Sequence, residues 1–214
     1  MDLQTRFRKG ETEYSQELFT SVTEEIEESL NAHAAFKRDC LDSLSKIAHV
    51  VSQRLLNGGK VFIFGNGGSA ADAQHIAAEL VGRYRRERKA LPALALTVNS
   101  STVSAIANDY GFEEVFARQL TAFASPKDIA IGISTSGNSR SVLRGIDVAR
   151  ELGLCTIGFT GETGGQLLTA VDLCLCVPST STARIQECHI LAGHIISELC
   201  ERLIVECSSP VEGG

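Results

Sequence analysis

His75 and Glu79 stand four residues apart in the segment FIFGNGGSAADAQHIAAEL, residues 62–80. Positions i and i+4 share one helix face, so an imidazole and a carboxylate can address the same small volume. Such a pair can be an ion pair, two ligands of a metal, or an acid and a base. A distal stretch, RIQECHILAGHI at 184–195, carries possible partners. Gln186 and His194 are eight residues apart, about 80° around a helix, and Glu187 and His194 are about 20° apart. His189 is a third candidate, and helix geometry does not choose among them.

Two loops could hold a ligand between these groups. The first, Gly65-Asn66-Gly67-Gly68-Ser69, follows an apolar strand and fits G-x-G-x-x-A through Gly65, Gly67 and Ala70. A dinucleotide site of this kind needs an acidic residue at the end of the next strand to hold the ribose. That strand ends in LTVNSS, without Asp or Glu, and the chain has no G-x-x-x-x-G-K-[ST] loop for a nucleoside triphosphate. The second loop, Ser134-Thr135-Ser136-Gly137-Asn138-Ser139, joins a buried strand to a helix. Hydroxyls, free backbone amides and a positive helix end favour a dianion such as a phosphate monoester. The plainer alternative is a serine-rich loop in which Ser139 caps the helix. A third loop after a strand opens with Thr160-Gly161.

The elements that must position these loops are legible from periodicity. Apolar residues at Leu18, Val22, Ile26 and Leu30 predict a helix over Glu13–Ala35, with Glu24, Glu25, Glu27 and Glu28 on its solvated face. A second helix is expected over Phe36–Leu56, stopped by NGG. From residue 60 the pattern changes to short apolar strands at Val61–Phe64, Ala93–Val98, Ile129–Ile133, Thr156–Phe159 and Leu173–Val177. Helical stretches at 69–84, 102–108, 113–124, 139–152 and 164–170 separate them, and a long helix follows at about 181–206. Strands this apolar, spaced by helices, imply a parallel sheet covered on both faces. In such a sheet ligands bind beyond the carboxyl ends of the strands, where these loops lie.

The 214 residues suit one α/β domain with extra helix. A formal charge of −6 argues against a nucleic-acid surface, and the basic run RYRRERK at 83–89 reads as a solvated loop or a subunit contact. The seven cysteines, Cys40, Cys155, Cys174, Cys176, Cys188, Cys200 and Cys207, lack zinc-finger spacing and are odd in number. Without a secretory signal pattern or a membrane-length apolar run, the expectation is a cytoplasmic protein in a reducing compartment, bound neither to membrane nor to nucleic acid.

Taken together, GNGGSAADAQHIAAEL with GRY after it, ANDYGF, GISTSGNS, FTGETGG and ARIQECHILAGHI resemble the phosphoheptose isomerases of the sugar-isomerase (SIS) family. The resemblance runs to about residue 206 and rests on five motifs in the right order. It implies a single SIS domain at 59–207 with a five-stranded parallel sheet flanked by helices, and an N-terminal helical extension at 1–58 that packs on the core and on neighbouring subunits. Residues 208–214 would be a tail. It implies a homotetramer with sites built between subunits, and one zinc ion per subunit. The implied reaction is aldose–ketose isomerisation of D-sedoheptulose 7-phosphate to D-glycero-D-manno-heptose 7-phosphate through an enediol, supplying lipopolysaccharide core or related heptosides.

Position by position, the resemblance assigns the substrate to Asn66, Gly67, Gly68, Glu79, Asn108, Asp109, Ser134, Thr135, Ser136, Ser139 and Gln186. It assigns zinc to His75, Glu79, Gln186 and His194, and so selects Gln186 over Glu187 and His189. The chemistry then falls to Glu79 as base and His194 as acid. Tyr110 in NDYGF, where Phe is frequent, and the FTGETGG loop, usually led by leucine, depart from the family pattern without removing a polar group. The competing expectation is a non-catalytic SIS adaptor like the bacterial protein that binds the replication initiator; it shares the loops but lacks the full catalytic set.

Overall fold

A computed structural model describes residues 3–208, with side chains from Ser15 to Glu206. Five strands, β1 (Val61–Gly65), β2 (Ala93–Ala95), β3 (Ile129–Ile133), β4 (Cys155–Thr160) and β5 (Leu173–Cys176), form one parallel sheet in the order β2-β1-β3-β4-β5. Every residue of β1 and β3 is buried, which is why these strands read as unbroken apolar runs. Side chains alternate between the two faces. Val61 and Ile63 enter one core with Ile131, Phe159 and Leu175, while Phe62 and Phe64 enter the other with Phe116, Leu120 and Ile146.

The first core is closed by α2 (Leu41–Leu56), α3 (Gly68–Val81) and α8 (Thr182–Ser208), through Ile47, Val51, Ile76, Leu80, Ala192 and Ile196. The second is closed by α5 (Ala117–Phe123), α6 (Arg140–Glu151) and the short α7 (Leu167–Ala170). The chain leaves β1 toward β2 on one side and returns to β3 on the other, so the carboxyl ends of β1 and β3 flank a crevice at the point where strand order reverses. Both candidate loops open there.

Several boundaries differ from the periodicity. α1 (Leu3–Asp39) runs past Ala35, and the chain bends at Cys40, whose Sγ lies 3.3 Å from the Cys176 carbonyl oxygen. Strand β2 ends at Ala95 although LTV continues the apolar run. The Leu96 N–H still bonds Ile63, but its carbonyl accepts from the Gln119 amide at 2.9 Å, turning the chain off the sheet edge. The next helix, α4 (Ser100–Tyr110), starts early because the Asn99 side chain accepts the Thr102 N–H at 3.0 Å. The stretch expected as one helix over 113–124 splits into a 3-10 turn at Phe112–Glu114 and α5. The final helix ends at Ser208, and the rest of the expected tail lies outside the described residues.

α1 docks on α8 through the buried Arg184. One of its terminal nitrogens donates to the Glu25 carbonyl at 2.5 Å, and the other pairs with Glu25 and Glu187 at 3.3 and 3.1 Å. The opposite face of α1 leaves Leu18, Phe19, Val22, Ile26 and Leu30 between 48% and 70% exposed. Among the described residues no helix is long and apolar enough to cross a membrane.

Candidate active site

The crevice beyond β1 and β3 is a cavity lined by Asn66, Gly67, Gly68 and Ser69 from the first loop and Ser134, Thr135, Ser136 and Ser139 from the second, with Thr182 and Gln186 of α8. Three helices, α3, α6 and α8, begin at its rim, so their positive ends converge on it. Among the described residues no lysine or arginine lines it. Helix ends and hydroxyls alone suit a phosphate monoester dianion.

The hydroxyls are organised by one another rather than by helix capping. Ser139 occupies the N-cap position of α6 but caps nothing with its side chain. Its Oγ accepts instead from the Asn66 amide at 2.8 Å, and the same amide nitrogen reaches the Ser141 hydroxyl at 3.0 Å. Asn66 therefore joins the two loops. Ser134 Oγ accepts the Ser139 N–H at 3.4 Å, and Ser136 Oγ accepts the Asn138 N–H at 3.2 Å. Two glycines set the depth of the cradle. Gly137, at φ +66°, packs so tightly that a Cβ would run into the Gly164 carbonyl, and the doubled glycine of FTGETGG answers to its own left-handed φ of +71° and +54°, with a Gly165 Cβ 2.5 Å from the Ser136 carbonyl. A Cβ on Gly68 would lie 2.5 Å from Gln186 Nε2, so glycine there lets the Gln186 amide reach the cavity.

The second part of the site lies between α3 and α8. His75 Nε2 is 3.1 Å from Glu79 Oε1 and 3.2 Å from His194 Nε2. The three donor atoms lie within 4.8 Å of one another. Donors on a tetrahedral zinc ion with bonds near 2.0–2.1 Å are separated by about 3.3 Å. The two separations from His75, 3.1 and 3.2 Å, match that spacing, and two imidazole nitrogens with a carboxylate oxygen are a donor set that zinc accepts. His75 lies seven residues into α3 from Gly68, about 10 Å along the axis, and helix side chains lean back toward the N-terminus and hence toward the cavity.

The other candidates of the last helix are engaged elsewhere. Glu187 accepts from Ser29 Oγ at 2.7 Å and pairs with Arg184. His189 is fully buried, with Nε2 3.1 Å from the Thr160 carbonyl oxygen, so that nitrogen carries the proton and donates. Burial pushes its pKa down to about 4, against the opposing pull of that hydrogen bond. Asn108 and Asp109 sit exposed at the end of α4, the Asn108 amide donating to Asp109 at 2.8 Å, and neither lines this chain's cavity.

Several residues of the site escape sequence reasoning. Ser141 and Thr182 carry only the weak signal of a hydroxyl in a helix's first turn. Asp72, one turn before His75, has its carboxyl raised to about 6 by burial, with the His75 charge pulling the other way. The run at 83–89 is only partly solvated. Arg83 and Arg85 are exposed, but the Arg88 side chain is 3% exposed and pairs with the fully buried Glu201 at 3.1 Å.

The chain is similar to known proteins along most of its length. The SIS domain family model matches residues 15–161. A phosphoheptose isomerase of Roseiflexus sp. (strain RS-1) is 51% identical over 189 residues, covering 86% of this chain and 94% of that protein. One from Aquifex aeolicus is 48% identical, covering 89% of this chain and 100% of that protein. The solved structure of a phosphoheptose isomerase from Neisseria gonorrhoeae superposes with a TM-score of 0.82 at 39% identity, covering 86% of this chain and 99% of that one.

Proposed function

This chain belongs to the SIS domain family and, within it, to the phosphoheptose isomerases, and on that premise we propose that it converts D-sedoheptulose 7-phosphate to D-glycero-D-manno-heptose 7-phosphate. The observation that carries the reading is the pairing of a lysine-free hydroxyl cradle with a His75–Glu79–His194 cluster about 10 Å along the same helix. That separation suits an extended heptose phosphate held by its phosphate at one end and worked on at the other.

In this scheme the phosphate lies against Ser134, Thr135, Ser136 and Ser139 under the helix ends, and Asn66, Gly67, Gly68 and Gln186 line the path of the carbon chain. Glu79 removes the proton from C1 of the ketose and returns it to C2, while His194 supplies a proton to the C2 oxygen and takes one from the C1 hydroxyl. His75, 3.1 Å from Glu79, holds the carboxylate toward the reacting carbons. His75, Glu79, Gln186 and His194 would hold one zinc ion per subunit, which when bound supplies Lewis-acid polarisation of the substrate oxygens. With an ion bound, Glu79 would have to serve in turn as ligand and as base, because a coordinated carboxylate is a poorer base.

A homotetramer completes the proposal. The exposed apolar stripe of α1 supports it, since Leu18, Val22, Ile26 and Leu30 repeat every four residues and stay exposed among the described residues. Asn108 and Asp109 would then meet substrate in a site shared between subunits. The protein would work in the cytoplasm and supply heptoside precursors.

The experiment separates binding from chemistry. Glu79→Gln keeps size and removes basicity, so turnover should vanish while the sugar phosphate still binds. Ser136→Ala and Ser139→Ala should weaken binding by about 1.5–3 kcal/mol each, the worth of a hydroxyl donated to a charged group. Near-full turnover by Glu79→Gln with zinc bound would remove the base assignment.

A further inference from the structure

A ligating histidine is usually aimed by donating its second ring N–H to a carboxylate or a carbonyl. Among the described residues neither His75 nor His194 makes such a bond; each is engaged through Nε2. His194 is held by its ring face instead. Tyr84 stacks on it with centroids 5.5 Å apart and planes inclined by 24°, while His75 meets it edge-on at 4.9 Å. Both separations fall in the range where aromatic rings attract in offset and edge-to-face arrangements.

Tyr84 belongs to the loop after α3, which has no regular structure of its own. Two carboxylates of α8 fix it: Glu198 accepts from the Arg86 guanidinium at 2.6 Å, and Glu201 holds the backbone. Glu201, two turns beyond His194 on α8, accepts the backbone N–H groups of Tyr84, Arg85 and Arg86 at 2.6, 2.8 and 2.9 Å. Burial works to raise the Glu201 pKa, but these three donors and Arg88 outweigh it and hold the group ionised below the usual carboxylate range. Arg88 also closes the end of α3, donating to the Glu79 carbonyl at 2.8 Å and the Gly82 carbonyl at 2.9 Å. The buried pair thus binds together the helix bearing Glu79, the helix bearing His194 and the loop bearing Tyr84.

We propose that Tyr84, clasped by Glu201 and Arg88, is a positioning residue whose ring sets the plane of the His194 imidazole, and through it the affinity of the cluster for a metal ion and the turnover rate. This rests on the reading of the His75–Glu79–His194 cluster given above. The ring face does the work, so phenylalanine should serve and an aliphatic side chain should not. The phosphate cradle lies elsewhere, so substrate binding should be spared.

The test compares Tyr84→Leu and Tyr84→Phe in the full chain. Zinc affinity is measured by competition with a chromophoric chelator, the visible spectrum is recorded with Co2+ in place of zinc, and kcat and KM are measured with sedoheptulose 7-phosphate. Tyr84→Leu should weaken zinc binding about tenfold or more, shift the Co2+ bands and lower kcat with KM little changed. Tyr84→Phe should restore all three. Wild-type zinc affinity and kcat in Tyr84→Leu would overturn the proposal, and so would a Tyr84→Phe as damaged as Tyr84→Leu. The metal titration needs no turnover, so Tyr84-dependent zinc affinity in a protein that does not isomerise the sugar would support the positioning role and overturn the substrate assignment. Glu201→Gln, with its melting temperature measured alongside, should mimic Tyr84→Leu in metal affinity.

Discussion

Gly68→Ala should damage catalysis without damaging the fold. The added Cβ would lie 2.5 Å from Gln186 Nε2 and 2.8 Å from its Cδ and Oε1, roughly 1 Å inside ordinary contact. The colliding atoms end a flexible side chain, so the amide swings away rather than the helices parting. Gly68 has no left-handed φ, and as the first residue of α3 it accepts alanine without strain. Its stability should be unchanged or raised by up to about 0.5 kcal/mol, because glycine loses more backbone freedom on folding. The displaced Gln186 loses its hydrogen bond to ligand, on the order of 1 kcal/mol, or about fivefold in kcat/KM. The assay is a double-mutant cycle with Gln186→Ala, reading kcat/KM and melting temperature for all four proteins. If the mechanism is right, Gly68→Ala adds almost nothing on the Gln186→Ala background. Additive losses, or a Gly68→Ala destabilised by about 2 kcal/mol or more, would refute it.

His189 predicts an acid-dependent loss of stability. Its folded pKa, about 4, lies below the unfolded value, so the unfolded chain takes the proton first and the protein loses roughly 3 kcal/mol as pH falls from about 6.5 to 4. The difference between wild type and His189→Gln in urea unfolding at each pH should trace that loss and cancel the opposite contribution of Asp72, whose raised folded pKa costs stability as pH rises from about 4 to 6; a difference that does not change with pH would contradict it. The α1 stripe predicts a tetramer by light scattering, and Val22→Asp with Ile26→Asp should split it into smaller species. A wild-type monomer at micromolar concentration would remove the shared site.

The buried sheet was legible because β1 and β3 are covered on both faces and read as continuous apolar runs, and the loops after them carry visible glycine and hydroxyl signatures. Strand β2 was over-read because an apolar run does not reveal that the Leu96 carbonyl turns to Gln119. The choice among Gln186, Glu187 and His189 was closed to helix geometry for a similar reason. Glu187 is claimed by Ser29, 158 positions away, and His189 by the backbone of β4. The run at 83–89 looked solvated because its organising partner, Glu201, lies more than a hundred residues further along the chain. What a side chain does locally is written in its neighbours in sequence; which long-range partner engages it is decided by packing.

The central claim is that the cradle and the cluster act together on one heptose phosphate. The direct measurement is a proton NMR time course of purified protein, zinc and D-sedoheptulose 7-phosphate, with phosphorus shifts reporting binding. The aldose D-glycero-D-manno-heptose 7-phosphate should appear, and Glu79→Gln should bind the ketose without forming it. A wild-type protein that binds the ketose phosphate yet never yields the aldose would overturn the proposed isomerisation.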